Sequence, residues 1–392
     1  MVKNFFQKSL SILLKQQTNI LSAAFIIMAM TILSQLLGLI KKRLLVATFG
    51  ASNIVGVYDV ASKFPDALFQ LVIAAAISSA FIPVFSNYLT SNREKEGHEM
   101  ASNLLTVGII VFGFFALILV IFAPFVLRIF NPGSGFTPSD MTLMANLLRI
   151  IIVGQFLFII GIFFSALLQS YNHFLIPAFA AATFNLGVII GIFFLSPFVG
   201  IYSAAYGGII GALCYIVFQI PLVKKVGFGF RPNFSFTSPS LIQIYKLIWP
   251  RTLAQGFFQL GPILIVSLLS FSPNTGRNYF IFDLALTLAF APVALIGQAI
   301  AQAAFPVLSR QRERLEDFKV TFLTSFSQML YLILPISILF LVLRIPIVRL
   351  VYGAAQFDWP ATVLTGRLLA ILCLSLFAQA LFNLVSRAFY AL

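Results

Sequence analysis

Charge is what this sequence has least of. Of its 392 residues only 9% are Asp, Glu, Lys or Arg, and 11 are acidic. Histidine occurs at His98 and His173 alone, and cysteine at Cys214 and Cys373 alone. Two cysteines in separate apolar runs make no disulfide framework and no metal-ligand spacing, so they read as small core residues. The histidines have no ligand spacing either. The sequence has no nucleophile–base pair, Gly-rich phosphate cradle or cofactor motif, and no nucleotide-binding domain. It therefore reads as a chain that is not an enzyme, has no resident cofactor or metal, and does not use ATP directly. No basic run interleaves with aromatics in a polar segment, so nucleic acid is not an expected partner.

What is present is apolar. Hydrophobic residues make up 60% of the chain, 45 residues are Phe, and the mean hydropathy is +1.02. A soluble protein cannot bury that much apolar surface. The fold class is all-α, a polytopic membrane protein whose partner is the bilayer. Long apolar runs separated by polar or Pro/Gly breaks predict about ten spans of about 20 residues each. Residues 1–17 mix Lys3, Lys8 and Lys15 with Phe and Leu and read as an interfacial amphipathic segment. Helices 1–6 fill 18–226, a polar linker occupies 227–240, and helices 7–10 fill 241–392.

The net charge of +14 fits the basic bias of cytoplasmic loops. With the amino terminus inside, the inner loops hold Lys3, Lys8, Lys15, Arg93, Lys95, Lys224, Lys225, Arg231, Arg310, Arg312, Arg314 and Lys319. The outer loops hold Arg128, Arg277, Arg344 and Arg349. Twelve against four sets the orientation with the amino terminus cytoplasmic.

The scarce charges concentrate between Ser34 and Pro83, where Lys41, Lys42, Arg43, Asp59, Lys63 and Asp66 occur. A charge near the bilayer centre costs about 3 kcal/mol on insertion scales, so such groups face water or a protein cavity. The expectation is a polar cavity that receives an anionic substrate. Lys41, Lys42 and Arg43 follow one another about 100° apart on a helix, so not all three point into one cavity. Each is either a cavity cation or a snorkelling side chain at a helix end. Asp59, Lys63 and Asp66, spaced by four and three, share a helix face. They form a cavity wall, or Asp59 neutralises Lys63. Arg251 faces the cavity or anchors at the interface. Asp283, the one acid of the eighth span, pairs with a base or binds a coupling cation. Pro65 and Pro292 interrupt helices and are hinge candidates.

The halves resemble each other. SSAFIPVFS (Ser78 to Ser86) aligns with AQAAFPVLS (Ala301 to Ser309), placing Pro83 on Pro306 at an offset of 306 − 83 = 223. Arg149 aligns with Arg367 in a second pair of segments, and APFVLRIF (Ala123 to Phe130) with IPIVRLVY (Ile345 to Tyr352). An even number of spans separates the copies, giving two repeated bundles of like orientation. That arrangement suits alternating access around a site between the halves.

Several loops add a family resemblance. LQSYNHFLIPAF (Leu168 to Phe179) followed by Asn185, the connector FQIPLVKKVGFGFRP (Phe218 to Pro232), SQLLGLIKK with Phe49-Gly50, KFP at Lys63 and AFIP at Ala80 resemble the MurJ/MviN family in order. That family lies in the multidrug/oligosaccharidyl-lipid/polysaccharide exporter superfamily. The resemblance covers nearly the whole chain. It implies flipping of lipid II, an undecaprenyl-diphosphate-linked peptidoglycan precursor, across the bacterial cytoplasmic membrane. The alternatives are another lipid-linked oligosaccharide or polysaccharide unit, or an inactive fragment. It implies 14 helices around a cationic cavity, so the chain reads as lacking the last four. Three positions where the family pattern has Arg hold Gln35, Phe69 and Thr287, while Lys41 keeps its charge. The driving force would be the membrane potential or a monovalent ion, and no oligomeric state is implied.

Overall fold

The computed structural model describes residues 20–74, 81–232, 234 and 239–391. The expected interfacial segment at 1–17 lies outside the described residues. Among the described residues the regular structure is helical, with no strand. The helices are α1 (Ile20–Phe49), α2 (Asn53–Phe69), α3 (Ile82–Thr90), α4 (Glu94–Ile121), α5 (Ala123–Ile129), α6 (Pro138–Ser170), α7 (Leu175–Val199) and α8 (Tyr202–Lys225). There follow α9 (Pro239–Leu269), α10 (Thr275–Pro292), α11 (Gln298–Arg310), α12 (Leu315–Val342), α13 (Arg344–Tyr352), α14 (Trp359–Cys373) and α15 (Leu376–Ala391).

Six described segments are long and apolar enough to cross a membrane: α4, α6, α7, α8, α10 continuing through α11, and α12. The bent pair α14–α15, with 45° between its halves, makes a seventh. The other expected spans run along α1, α2 to α3, and α9, each of which includes residues or side chains outside the description. Among the described residues, six to seven segments meet the length-and-apolarity criterion, against the ten spans expected.

The chain packs as two compact units, Met1–Thr48 with Asn53–Gly276, and Phe49–Ser52 with Arg277–Leu392. The polar stretch at 227–240, expected to separate the halves, falls inside the first unit. The seventh helix, α9, packs with that unit: Thr252 Oγ1 donates to the Leu71 carbonyl at 3.4 Å. A Cβ on Gly256 would touch the Leu71 side chain at 3.4 Å.

Glycine builds the close contact between α7 and α8. Gly187 and Gly191 of α7 face Gly211 and Gly207 of α8, so that a Cβ on either α7 glycine would lie 2.3 Å from the opposing Cα. Apolar side chains gain little by leaving lipid, so close backbone approach and dispersion hold such pairs together. The outward faces are correspondingly apolar, with Phe193, Phe194 and Phe198 exposed. The interior is aromatic: Phe81, Phe85, Phe112 and Phe163 are fully buried.

The repeat is visible element by element. A π-helical turn follows α2 at Gln70–Ala74, and another follows α10 at Val293–Gly297. Their starts differ by 293 − 70 = 223, the offset that aligns Pro83 with Pro306. Next comes a proline-containing helix, a long span, a short helix and a side-chain cap. Thr137 caps α6 with a reciprocal box, its hydroxyl accepting from Asp140 N–H while Asp140 accepts from Thr137 N–H. Asp358 caps α14 by accepting from Ala361 N–H at 3.2 Å. Such caps satisfy amides that the first turn leaves open. The copies differ where α6 runs unbroken for 33 residues while its counterpart breaks between Cys373 and Leu376.

Candidate functional site

The scarce charges of the first unit come together. α2 carries Asp59, Lys63 and Asp66 on one face, as their spacing predicts. Lys63 Nζ lies 4.0 Å from Asp59 Oδ1, and both side chains are largely buried, at 22% and 16% exposure. The structure therefore contains the Asp59–Lys63 pair. Asp66 accepts a 2.5 Å hydrogen bond from Gln155 Nε2 of α6. It also interacts electrostatically with Lys63, with Lys41 of α1 and with Asp59. Tyr58 joins the group, in the field of Asp59, Asp66 and Lys63. Lys41 is thus drawn into the α2 cluster; Lys42 is half-buried and Arg43 exposed, as their angular separation requires.

This cluster holds two ammonium groups and two carboxylates. Sequence reasoning weighted the cations, and the structure gives them acidic company. Gln155 was missed, because a glutamine in an apolar span carries no motif. Its Oε1 is buried and accepts no hydrogen bond among the described residues.

The remaining candidates stand apart. Arg251 lies in α9, and its side chain is outside the described ones. Asp283 is buried in α10 of the second unit, in electrostatic contact with Tyr352, whose hydroxyl donates to the Leu284 carbonyl at 3.2 Å. Pro65 sits inside α2, which continues past it for four residues before the π-turn; Pro292 ends α10 directly before its π-turn. A π-turn re-routes the carbonyls that an interrupted ladder leaves open.

The positions of missing family cations have local explanations. Phe69 is buried at 5% exposure and packs on Phe158, ring centroids 5.6 Å apart. Thr287 turns its hydroxyl onto the Asp283 carbonyl of its own helix. Gln35 is exposed. Nearby, Asn185 of α7 donates to both the carbonyl and the hydroxyl of Ser34 in α1 at 3.2 Å, joining two positions of the family-like motifs.

At the other end of the same unit, Asn53 Nδ2 donates to Asp140 Oδ1 at 2.8 Å, and Asn53 Oδ1 accepts from Gly276 N–H at 3.1 Å. A second polar feature lies where α4 and α7 begin and α6 and α8 end. There His98 Nε2 is 2.8 Å from the Tyr171 hydroxyl, which donates to Glu94 at 2.5 Å. Burial first, and then the Glu94 carboxylate, push the Tyr171 phenol well above its ordinary range, so it remains a donor at neutral pH.

Comparison with known proteins places these features in context. The sequence model of the family described as lipid II flippase MurJ matches residues 45–392. A probable lipid II flippase MurJ of Buchnera aphidicola subsp. Acyrthosiphon pisum is 27% identical over 381 residues, covering 95% of this chain and 73% of that protein. One from Thermotoga maritima is 28% identical over 371 residues, covering 92% and 72%. Among solved structures, lipid II flippase MurJ in an inward closed conformation superposes with a TM-score of 0.76 at 23% identity, covering 94% of this chain and 76% of that one. An inward-facing MATE family transporter of the MOP superfamily gives 0.65 at 14% identity, covering 91% and 83%.

Proposed function

The chain belongs to the MurJ family of lipid II flippases, and on that premise we propose that it moves lipid II between the leaflets of the bacterial cytoplasmic membrane. The observation that carries this reading is the family match across most of the chain, joined to a buried charged cluster in a membrane protein. Lipid II presents a diphosphate, and the bilayer excludes diphosphates. A carrier must replace their hydration with cations and donors in a setting of reduced dielectric, where those groups act more strongly than in water.

The α1–α2–α6 cluster suits that task. Lys41 and Lys63 would take the phosphate oxygens, with Asp59 and Asp66 holding the ammonium groups in place while no substrate is bound. The two carboxylates thus keep the lysines compensated while the site is empty, which avoids the cost of an uncompensated buried charge in that state. Gln155 orients Asp66 and supplies an amide beside it. Pro65 and Pro292, each followed by a π-turn, would let α2 and α10 bend as access alternates from one face to the other. The amino terminus would face the cytoplasm, as the loop charges require. A membrane potential or a monovalent-cation gradient would supply the driving force.

A second reading, export of another lipid-linked glycan, draws on Phe69. Where the family pattern has a cation, this chain has a core aromatic, and the cluster carries balanced charge. Depletion of a host's own flippase tests the first reading: this chain should restore growth and cell shape. Failure to do so, with the protein present in the membrane, favours the second.

A further inference from the structure

The mouth of the first unit holds a cavity of about 570 Å³ that the translocation reading does not use. Its lining comes from three places: Glu94, Lys95 and His98 at the start of α4, Tyr171 and His173 after α6, and Lys225 with the two residues after it at the end of α8. The volume is that of a small-molecule site. The turn that closes it is fixed locally. Asn172 adopts a left-handed backbone (φ +59°), and the His173 N–H donates to the Leu168 carbonyl at 2.9 Å, which turns the His173 side chain inward to 5% exposure. His98 is held between two rings, stacked on Phe85 at 6.1 Å and edge-on to Phe228 at 5.5 Å. Both imidazoles are thus placed by local contacts.

Its charge is uneven. The lining has one carboxylate, Glu94, and that group already accepts the Tyr171 hydroxyl and lies 4.0 Å from His98. Its two ammonium groups, Lys95 and Lys225, make no ion pair among the described residues. Arg93, next in sequence, is bound to Glu96 and faces its own helix turn. A cavity with an engaged acid, two available cations, two imidazoles and a phenolic hydroxyl fits an anion rich in acceptor oxygens. It lies at the ends of α4, α6 and α8, helices long and apolar enough to cross a membrane, which puts it towards the membrane–water interface.

We propose that this cavity binds a phosphate ester, gripped by Lys95 and Lys225, with the headgroup of an anionic glycerophospholipid as the source that its depth favours. The site is separate from the α1–α2–α6 cluster and does not require the chain to move lipid II. Val226 and Gly227 add an apolar edge to the polar lining, which gives room for a glycerol-bearing group beside the cations.

Thermal unfolding of the purified full chain in detergent tests this. Dihexanoyl phosphatidylglycerol, dihexanoyl phosphatidylcholine, glycerol 1-phosphate and inorganic phosphate are titrated separately. Phosphatidylglycerol should raise the wild-type midpoint and phosphatidylcholine should not. In the Lys95→Gln/Lys225→Gln double variant the half-saturating concentration should rise at least tenfold, with the ligand-free midpoint unchanged. Glu94→Gln, which removes the one acid, should lower it. Lys319→Gln, an exposed lysine elsewhere, should leave it as in the wild type. An equal shift with glycerol 1-phosphate would support the site with a soluble ester as its source. Wild type unmoved by every phosphate, a double variant that saturates like the wild type, or an equal loss in Lys319→Gln would overturn the proposal.

Discussion

Gln155 and Asp66 lie 89 residues apart in sequence, and the side-chain amide of the first donates to the carboxylate of the second at 2.5 Å. That bond ties α6 to α2 and sets where the acid of the charged cluster points. Replacement of Gln155 by Leu keeps the volume and removes the donor. It should cost about 1.5–3 kcal/mol, the range for a hydrogen bond to a charged group. It should lower lipid translocation more than it lowers the melting temperature. Transport assays alongside thermal unfolding in detergent measure both; equal transport in the variant would remove Gln155 from the mechanism.

The α7–α8 glycines make a sharper structural case. Gly191→Ala would place a methyl 2.3 Å from the Gly207 Cα, against backbone that cannot step aside. The expected loss is about 1–3 kcal/mol, the cost of overpacking. Gly208→Ala, one residue from Gly207, meets nothing within 4 Å. It should be neutral or raise stability by up to about 1 kcal/mol through helix propensity. Denaturation of the two variants side by side checks the contrast, and equal behaviour would argue against the close helix contact.

Phe69 and Gln35 separate two kinds of departure from the family pattern. Phe69→Arg puts a guanidinium into a position at 5% exposure beside Phe158, and should destabilise by roughly 3 kcal/mol or more. Gln35→Arg, at an exposed position, should fold like the wild type. Measured melting temperatures that fell equally, or not at all, would contradict this placement of the two residues.

The helix caps supply a fourth test. Thr137→Ala and Asp358→Ala each remove a side-chain acceptor from a first turn, and each should cost about 1 kcal/mol. The Asp358 variant should lose more than the Thr137 variant, because Asp358 also receives the Arg277 guanidinium at 2.7 Å. Chemical unfolding resolves the difference, and a smaller loss at Asp358 would contradict it.

Much of this architecture was legible in the residues. Apolar run lengths gave the helices, and the Pro83–Pro306 offset found the repeat that the two π-turns reproduce. The spacing of Asp59, Lys63 and Asp66 placed them on one face. The partners across helices were not legible. Nothing in the apolar sequence around Gln155 says that it meets Asp66, because an α6-to-α2 contact depends on helix rotation, which local periodicity does not set. The contact boundary at Gly276 was not legible for a similar reason. The 227–240 linker is polar, but packing follows which helices touch, and Thr252 and Gly256 of α9 touch Leu71 of the first unit.

The central claim is that Lys41 and Lys63 receive the lipid diphosphate. It is tested most directly by reconstituting the full chain into vesicles with labelled lipid II and measuring the rate at which label moves between leaflets. Lys41→Gln and Lys63→Gln should each slow that movement roughly ten- to hundredfold, the equivalent of about 1.5–3 kcal/mol per lost charge-assisted contact. Lys319→Gln, an exposed lysine outside the cluster, should leave it within about twofold. Wild-type rates in both cluster variants would contradict the account.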